Sequence, residues 1–202
     1  MPADNKTDLL NLIATLSFRL GDFTLASGQK SDYYIDCRTT TLHAEGGRLS
    51  GLVLYDLIAE HFAQAEAVGG LTMGADPLVS NTASASAWHH LHHHRDALVH
   101  GFLVRKAEKQ HGTGRLIEGF HKLGAHVVIV DDVCTTGGST ITAIEAATQS
   151  GMNVIGVLCL VDREQGGRAN IEAAAPNAPF YSVFTATDVR AAHIALNSEQ
   201  NK

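Results

Sequence analysis

Leu9, Ile13, Leu16 and Leu20 recur every three or four positions, the period of one helix face. Thr7 or Asp8 offers an N-cap and Gly21 a stop, so the pattern predicts an amphipathic first helix. In residues 23–42 two β-prone runs flank Ser27-Gly28-Gln29-Lys30-Ser31, which reads as a hairpin-like extended arm. A second helix is expected over 45–64, with Leu49, Leu52, Val53, Leu57 and Phe62 as its buried stripe. From there strands and helices alternate. Ala67–Leu71 is a short apolar strand, and Thr72-Met73-Gly74-Ala75-Asp76 a loop before a helix with Pro77 at its first position. Strands are expected at 98–104, 126–130, 154–161 and 180–184, and helices at 139–149 and 188–196. Within the strand at 126–130, residues 127–130 are all apolar, as in a strand buried on both faces. This order predicts an α/β fold: a mostly parallel central sheet flanked by helices.

The 202 residues suit one domain. Residues 1–42 form its N-terminal helix and arm, and the polar end 197–202 is expected to fray. Fifteen Lys+Arg against 21 Asp+Glu leave a net charge of −6, which argues against a general grip on nucleic acid. Cys37, Cys134 and Cys159 are far apart and show no zinc-ligand spacing, consistent with free thiols in a reducing compartment. The N-terminus carries Asp4 and Asp8 and lacks a secretory pattern. No apolar run approaches the roughly 20 residues of a membrane span. A cytoplasmic protein with no membrane partner is the expectation.

The chemistry concentrates in residues 126–140, HVVIVDDVCTTGGST. A buried strand ends in Asp131 and Asp132, and Thr135, Thr136, Gly137 and Gly138 lead into a helix near Ser139. Open α/β sheets bind ligands at the carboxyl ends of their strands. Glycines admit an anion close to backbone N–H groups, hydroxyls add donors, and the helix N-terminus adds partial positive charge. The loop has neither GxxxxGK[ST] nor GxGxxG, so neither a nucleoside triphosphate nor a dinucleotide fits its pattern. Adjacent carboxylates would repel a polyphosphate but suit the vicinal hydroxyls of a ribose. Acids and cradle together describe a ribose 5-phosphate.

A second segment, RKAEKQHGTGR at 105–115, holds Arg105, Lys106, Lys109, His111 and Arg115 against the single acid Glu108. Alone it reads as a solvated charged loop. Beside the cradle it reads as a basic flap that closes over a polyanion and meets developing negative charge.

VIVDDVCTTGGST resembles the phosphoribosyl-pyrophosphate motif of the type I phosphoribosyltransferases. Together with FTLASGQKSDYYID and RKAEKQHG, in that order, the chain is similar to the orotate-using branch of that family. The resemblance extends from about Gly21 to Arg163, and it implies a hood built from the N-terminal helix and arm. It further implies transfer of a phosphoribosyl group from phosphoribosyl pyrophosphate to orotate, giving orotidine 5′-monophosphate and pyrophosphate. By the same likeness Asp131 and Asp132 hold the ribose hydroxyls. Thr135, Thr136, Gly137, Gly138 and Ser139 wrap the 5-phosphate, and Val133 and Cys134 complete the implied set of phosphoribosyl-pyrophosphate-binding residues. Arg105, Lys109 and His111 reach pyrophosphate across a homodimer interface, while Lys106 serves its own site. Arg105, Lys109, His111, Asp131 and Asp132 are the implied catalytic groups. Tyr34, Ile35, Thr135 and Arg163 meet orotate. The implied cofactor is Mg²⁺, held by substrate oxygens and water and not directly by side chains. Two lysines found in some members are absent here, where the chain has Ala26 and Met73-Gly74.

His89, His90, His92, His93 and His94 read as a solvated helix end, although pairs four apart suit a metal. Cys134 reads as a small core filler, and Trp88 as packed on the sheet. Tyr33 is open between core filling and a role in the site. Competing readings are transfer to a purine or other base, and a non-catalytic sensor of phosphoribosyl pyrophosphate.

Overall fold

The computed structural model describes residues 4–24, 30–93, 98–106 and 116–200. Helix α1 (Asn5–Leu16) starts one turn before the expected caps, because Asp4 accepts from the Lys6 N–H at 3.2 Å. It also ends early, at Ser17 instead of Gly21. The Ser17 hydroxyl pairs with Thr39 and Thr40 at 2.8 and 2.6 Å, and the Ser17 carbonyl accepts from the Asp36 N–H at 3.0 Å. These bonds pull the chain into an extended run, and Leu20 is left 47% exposed. Strands β1 (Phe18–Thr24) and β2 (Lys30–Ile35) pair antiparallel as the expected arm. The arm's tip, with Ala26 and most of the predicted turn, lies outside the described residues.

A short helix α2 (Arg38–Thr41) follows, unexpected from its threonine-rich sequence, and then α3 (Ala44–His61). Strand β3 (Ala67–Leu71) matches its prediction, whereas α4 (Ala75–His93) opens two residues before Pro77. Next come β4 (His100–Val104), β5 (Ile117–Gly119), β6 (His126–Cys134) and α5 (Gly138–Gln149). Strand β7 (Asn153–Asp162), helix α6 (Gly167–Ala174), β8 (Phe180–Thr185) and α7 (Ala186–Gln200) complete the chain. Strand β5 and helix α6 escape the sequence pattern because both are short; α6 is held by one fully buried side chain, Ile171. The tail expected to fray from residue 197 is helical through Gln200, with Ser198 Oγ donating to the Ile194 carbonyl at 2.8 Å.

The main sheet runs β5-β4-β3-β6-β7-β8, parallel except for β5. Successive side chains of a strand point to opposite faces, and β6 shows the result. Val128 and Val130 join the cluster formed with α1, α3, α4 and α7, while Val127 and Ile129 join the one beneath α5 and α6. Helices therefore cover both faces, as expected. The order also places the functional cleft. From β3 the chain adds β4 on one side, and from β6 it adds β7 and β8 on the other. Where strand order reverses, the loops leaving β3 and β6 diverge and open a crevice at their carboxyl ends.

Two further expectations change. Trp88 does not pack on the sheet: it is 59% exposed on α4 and lies against the His92 ring at 3.9 Å between centroids. Tyr33 is half-buried and stacks on Phe18 at 5.5 Å. Cys134 is the core filler expected, buried in the α5–α6 cluster. The three cysteines are free and buried. No helix among the described residues is long and apolar enough to cross a membrane.

Candidate active site

At the β3–β6 crevice lies an open cleft of about 490 Å³. Tyr34, Ile35, Asp36 and Arg38 line it from the end of the arm, and Leu71, Thr72, Met73 and Gly74 from the loop after β3. Lys106 comes from beyond β4, and Asp131, Asp132, Val133 and Ser139 from β6 and the start of α5. The sheet thus gathers the arm, the acidic pair and one cation of the basic loop, which sequence analysis had met as separate motifs.

The acidic pair sits inside β6, which continues past its expected end to Cys134. Asp131 is only 8% exposed. Its carboxylate accepts from the Thr140 hydroxyl at 2.7 Å and from the Asp132 N–H at 3.1 Å. Burial nevertheless dominates and pushes its pKa up to about 7; the Thr140 bond opposes this and the Asp132 charge adds to it. Burial raises Asp132 as well, opposed by the Val133 N–H and by the positive charge of Arg38. Two carboxyls with this reluctance to ionise together can exchange hydrogen bonds with a diol, each as donor or acceptor.

Beyond the acids the chain turns into α5 through Gly137, whose φ is +81°. A Cβ there would lie 2.8 Å from Ile171 Cγ1 and 3.0 Å from the Gly167 carbonyl oxygen. No side chain caps α5, so its first N–H groups remain for an anion. Helix α6 braces the loop from behind, with Asn170 Nδ2 donating to the Thr136 carbonyl at 3.0 Å. Thr136, Gly138 and Ser139 are exposed, Thr135 half-buried, and Gly137 and Cys134 buried. Cys134 therefore contributes backbone and packing, not a side chain facing ligand.

The loop after β3 approaches closely, since a Cβ on Gly74 would lie 2.3 Å from Asp132 Oδ1. A side chain at this position would have to displace the carboxylate, whereas glycine lets loop and acid share the cleft.

The remaining predicted residues divide. Lys106 is exposed and lines the cleft. Arg105 is not among the lining residues; its Nη1 lies 3.4 Å from Glu118 Oε1 on β5. Arg163 is 8% exposed and also absent from the lining. Its guanidinium lies 4.8 Å from the Tyr33 ring centroid, with Nε 3.4 Å from the Tyr33 hydroxyl and Nη2 3.5 Å from Ser31 Oγ. Tyr33 thereby ties the arm to the loop after β7, and Asp32 pairs with Arg190 of α7 beside it. Lys109, His111 and Arg115 lie outside the described residues, as do His94 and the His93 side chain of the histidine run. Among the described residues no three His, Cys, Asp or Glu side chains group as a metal cage.

Sequence analysis missed Asp36, Arg38 and Thr140. The Asp36-x-Arg38 spacing at the end of the arm was a visible signal; Thr140 was not, since its partner Asp131 lies on another element.

Comparison with known proteins agrees with this geometry. Residues 102–199 match the family model described as a phosphoribosyl transferase domain. The orotate phosphoribosyltransferase of Tropheryma whipplei is 41% identical over 184 residues, covering 91% of this chain and 82% of the relative. The crystal structure of Mycobacterium tuberculosis orotate phosphoribosyltransferase with Fe(III) dicitrate superposes with a TM-score of 0.77 at 37% identity, covering 92% of this chain and 98% of that one. The structure of that enzyme with 5-phospho-alpha-D-ribosyl 1-diphosphate gives 0.74 at 33% identity, covering 92% and 98%. Relatives matched over nearly their whole length, on the same fold with the acidic pair and helix N-terminus at its switch point, place the chain in the orotate phosphoribosyltransferase family.

Proposed function

We propose that the protein transfers the 5-phosphoribosyl group of phosphoribosyl pyrophosphate to a ring nitrogen of orotate. The C1–oxygen bond to pyrophosphate breaks, the C1–nitrogen bond forms, and orotidine 5′-monophosphate and pyrophosphate leave. One observation carries this reading: Asp131 and Asp132 stand directly ahead of the uncapped N-terminus of α5, in a cleft of ligand size. The α5 amides and the hydroxyls of Thr135, Thr136 and Ser139 hold the 5-phosphate. Asp131 and Asp132 take the ribose diol and face the electron-poor sugar as the bond breaks. Lys106 meets the departing pyrophosphate, and Tyr34 and Ile35 form the wall for the planar base. Arg163 stands beside them, steadied by Tyr33, where a guanidinium can grip a carboxylate or carbonyl.

Mg²⁺, when bound, neutralises charge on the leaving group. The oxygen donors of Asp131 and Asp132 in an open cleft fit such an ion, which they would help hold together with substrate oxygens and water. Arg105, Lys109 and His111 complete neutralisation from the second subunit of a homodimer. The pairing of Arg105 with Glu118, and its absence from the residues lining its own cleft, favour this. The buried free thiols suit a reducing cytoplasm.

The test mixes protein, orotate, phosphoribosyl pyrophosphate and Mg²⁺ and follows orotate's ultraviolet absorbance. Loss of that absorbance with release of pyrophosphate is expected. Consumption of adenine, hypoxanthine or uracil without orotate would overturn the choice of base. Lys106→Ala should raise the KM for phosphoribosyl pyrophosphate about tenfold, the weight of one charge-assisted contact. Its KM for orotate should stay within about twofold in the same assay.

A further inference from the structure

Arg38 has no part in the roles assigned above, yet it lines the cleft with Asp36, Asp131 and Asp132. Among the described lining residues the carboxylates outnumber the cations, which are Arg38 and Lys106. A ligand with several negative charges entering this space meets repulsion unless each cation is aimed at it. Asp36 does that aiming. Arg38 Nε donates to Asp36 Oδ1 at 2.8 Å and Nη2 to Oδ2 at 2.7 Å, a bidentate clamp. The Arg38 backbone N–H also donates to Asp36 Oδ1, at 3.1 Å.

A guanidinium carries five N–H donors in a fixed plane. The clamp occupies the Nε edge and leaves both hydrogens of Nη1 and one of Nη2. Nη1 has no hydrogen-bond partner among the described residues. An arginine held rigidly on one edge, with its opposite edge unspent in a cleft, is already ordered for an anion. It loses little freedom on binding, unlike the flexible, exposed Lys106.

We propose that Arg38 is a further binding residue of this site, donating from its free edge to the diphosphate group of the sugar donor, with Asp36 as the residue that positions it. The assignment rests on the phosphoribosyl transfer proposed above and adds a contact from the arm. It also explains why the arm's carboxyl end approaches the β3–β6 crevice: the segment that walls the base also brings a cation to the leaving group.

The test compares wild type, Arg38→Gln and Arg38→Lys in two measurements. Steady-state kinetics should show the KM for phosphoribosyl pyrophosphate rising about tenfold in Arg38→Gln, with the KM for orotate within about twofold. Arg38→Lys, which keeps charge and loses the fork, should fall between them. Calorimetric titration with inorganic pyrophosphate and, separately, with ribose 5-phosphate needs no turnover. Arg38→Gln should weaken pyrophosphate about tenfold and leave ribose 5-phosphate unchanged. Equal pyrophosphate affinity in all three proteins, or a loss confined to ribose 5-phosphate, would overturn the proposal. Should Arg38→Gln fail to fold by circular dichroism, Arg38→Lys decides by the same titrations. A wild type that binds pyrophosphate through Arg38 yet never consumes orotate would sink the proposed activity and leave this assignment standing.

Discussion

Gly137→Val is expected to lower kcat/KM for phosphoribosyl pyrophosphate by at least about 10², the effect typical of losing one well-placed backbone donor. Two independent forces act at this position. Gly137 has φ +81°, where a β-branched residue is strained by about 1–3 kcal/mol. The new Cβ would also stand 2.8 Å from Ile171 Cγ1 and 3.0 Å from the Gly167 oxygen, and α6 has little room to yield because Ile171 is fully buried. Either the loop or α6 moves, and in both cases the first amides of α5 leave the phosphate. Gly138→Ala is the companion that separates ligand binding from folding. Its Cβ meets nothing nearer than Thr136 Oγ1 at 4.0 Å, and alanine favours the helix. Its melting temperature should therefore hold or rise while the methyl intrudes on the mouth of the cradle. Undiminished donor affinity in both variants would remove the phosphate from this loop.

The second large effect is a pH-dependent change in stability at Asp131. Its carboxyl is raised to about 7 in the folded protein, mainly by burial, against the ordinary 3.8. Between those values the folded state holds the proton more tightly than the unfolded chain. Stability from this group is thus fully present below about pH 4 and declines as pH rises through about 7. The gap corresponds to at most ~4 kcal/mol above neutrality. Asp131→Asn keeps an uncharged group of the same shape beside Thr140. In chemical denaturation the variant should match wild type near pH 4, become progressively more stable than it between about pH 4 and 7, and hold that margin above. Parallel pH profiles for the two proteins would show that Asp131 ionises in the fold as easily as in the unfolded chain. Taking the difference between proteins also removes carboxylates that titrate the other way, such as Asp36, whose pKa its Arg38 partner lowers.

Much of this architecture was legible because its signals are local. The apolar run at 127–130 announced a strand covered on both faces, and Gly137 and Gly138 ahead of a helix announced a turn with open amides. Strand β3 matched its predicted bounds, since Ala67–Leu71 is apolar between polar neighbours. Boundaries failed where distant residues set them. Helix α1 stops at Ser17 because Thr39, Thr40 and Asp36 bond to it from across the arm, and no periodicity in residues 5–21 reports that. Trp88 looked like core by residue type, yet α4 turns it outward beside His92. Helix α6 was invisible because a single apolar side chain anchors it, although its contacts hold the cradle in place.

The linear chain by itself determined the chemistry available here: two acids before a glycine-threonine turn, a basic loop and an aromatic arm, each encoded by neighbouring residues. Tertiary structure decided which of these meet. Reversal of strand order between β3 and β6 opened the cleft, and packing brought Tyr34 and Arg38, Gly74, and Lys106 into one cleft with Asp132 from three separate segments. It also set the charge state of the acids, since the burial that lifts Asp131 arises only once α5 and β7 close around it. Spacing along a chain specifies groups within a few residues of one another. Distances, desolvation and the meeting of Arg38 with Lys106 and Asp132 in one cleft depend on elements that folding alone brings together.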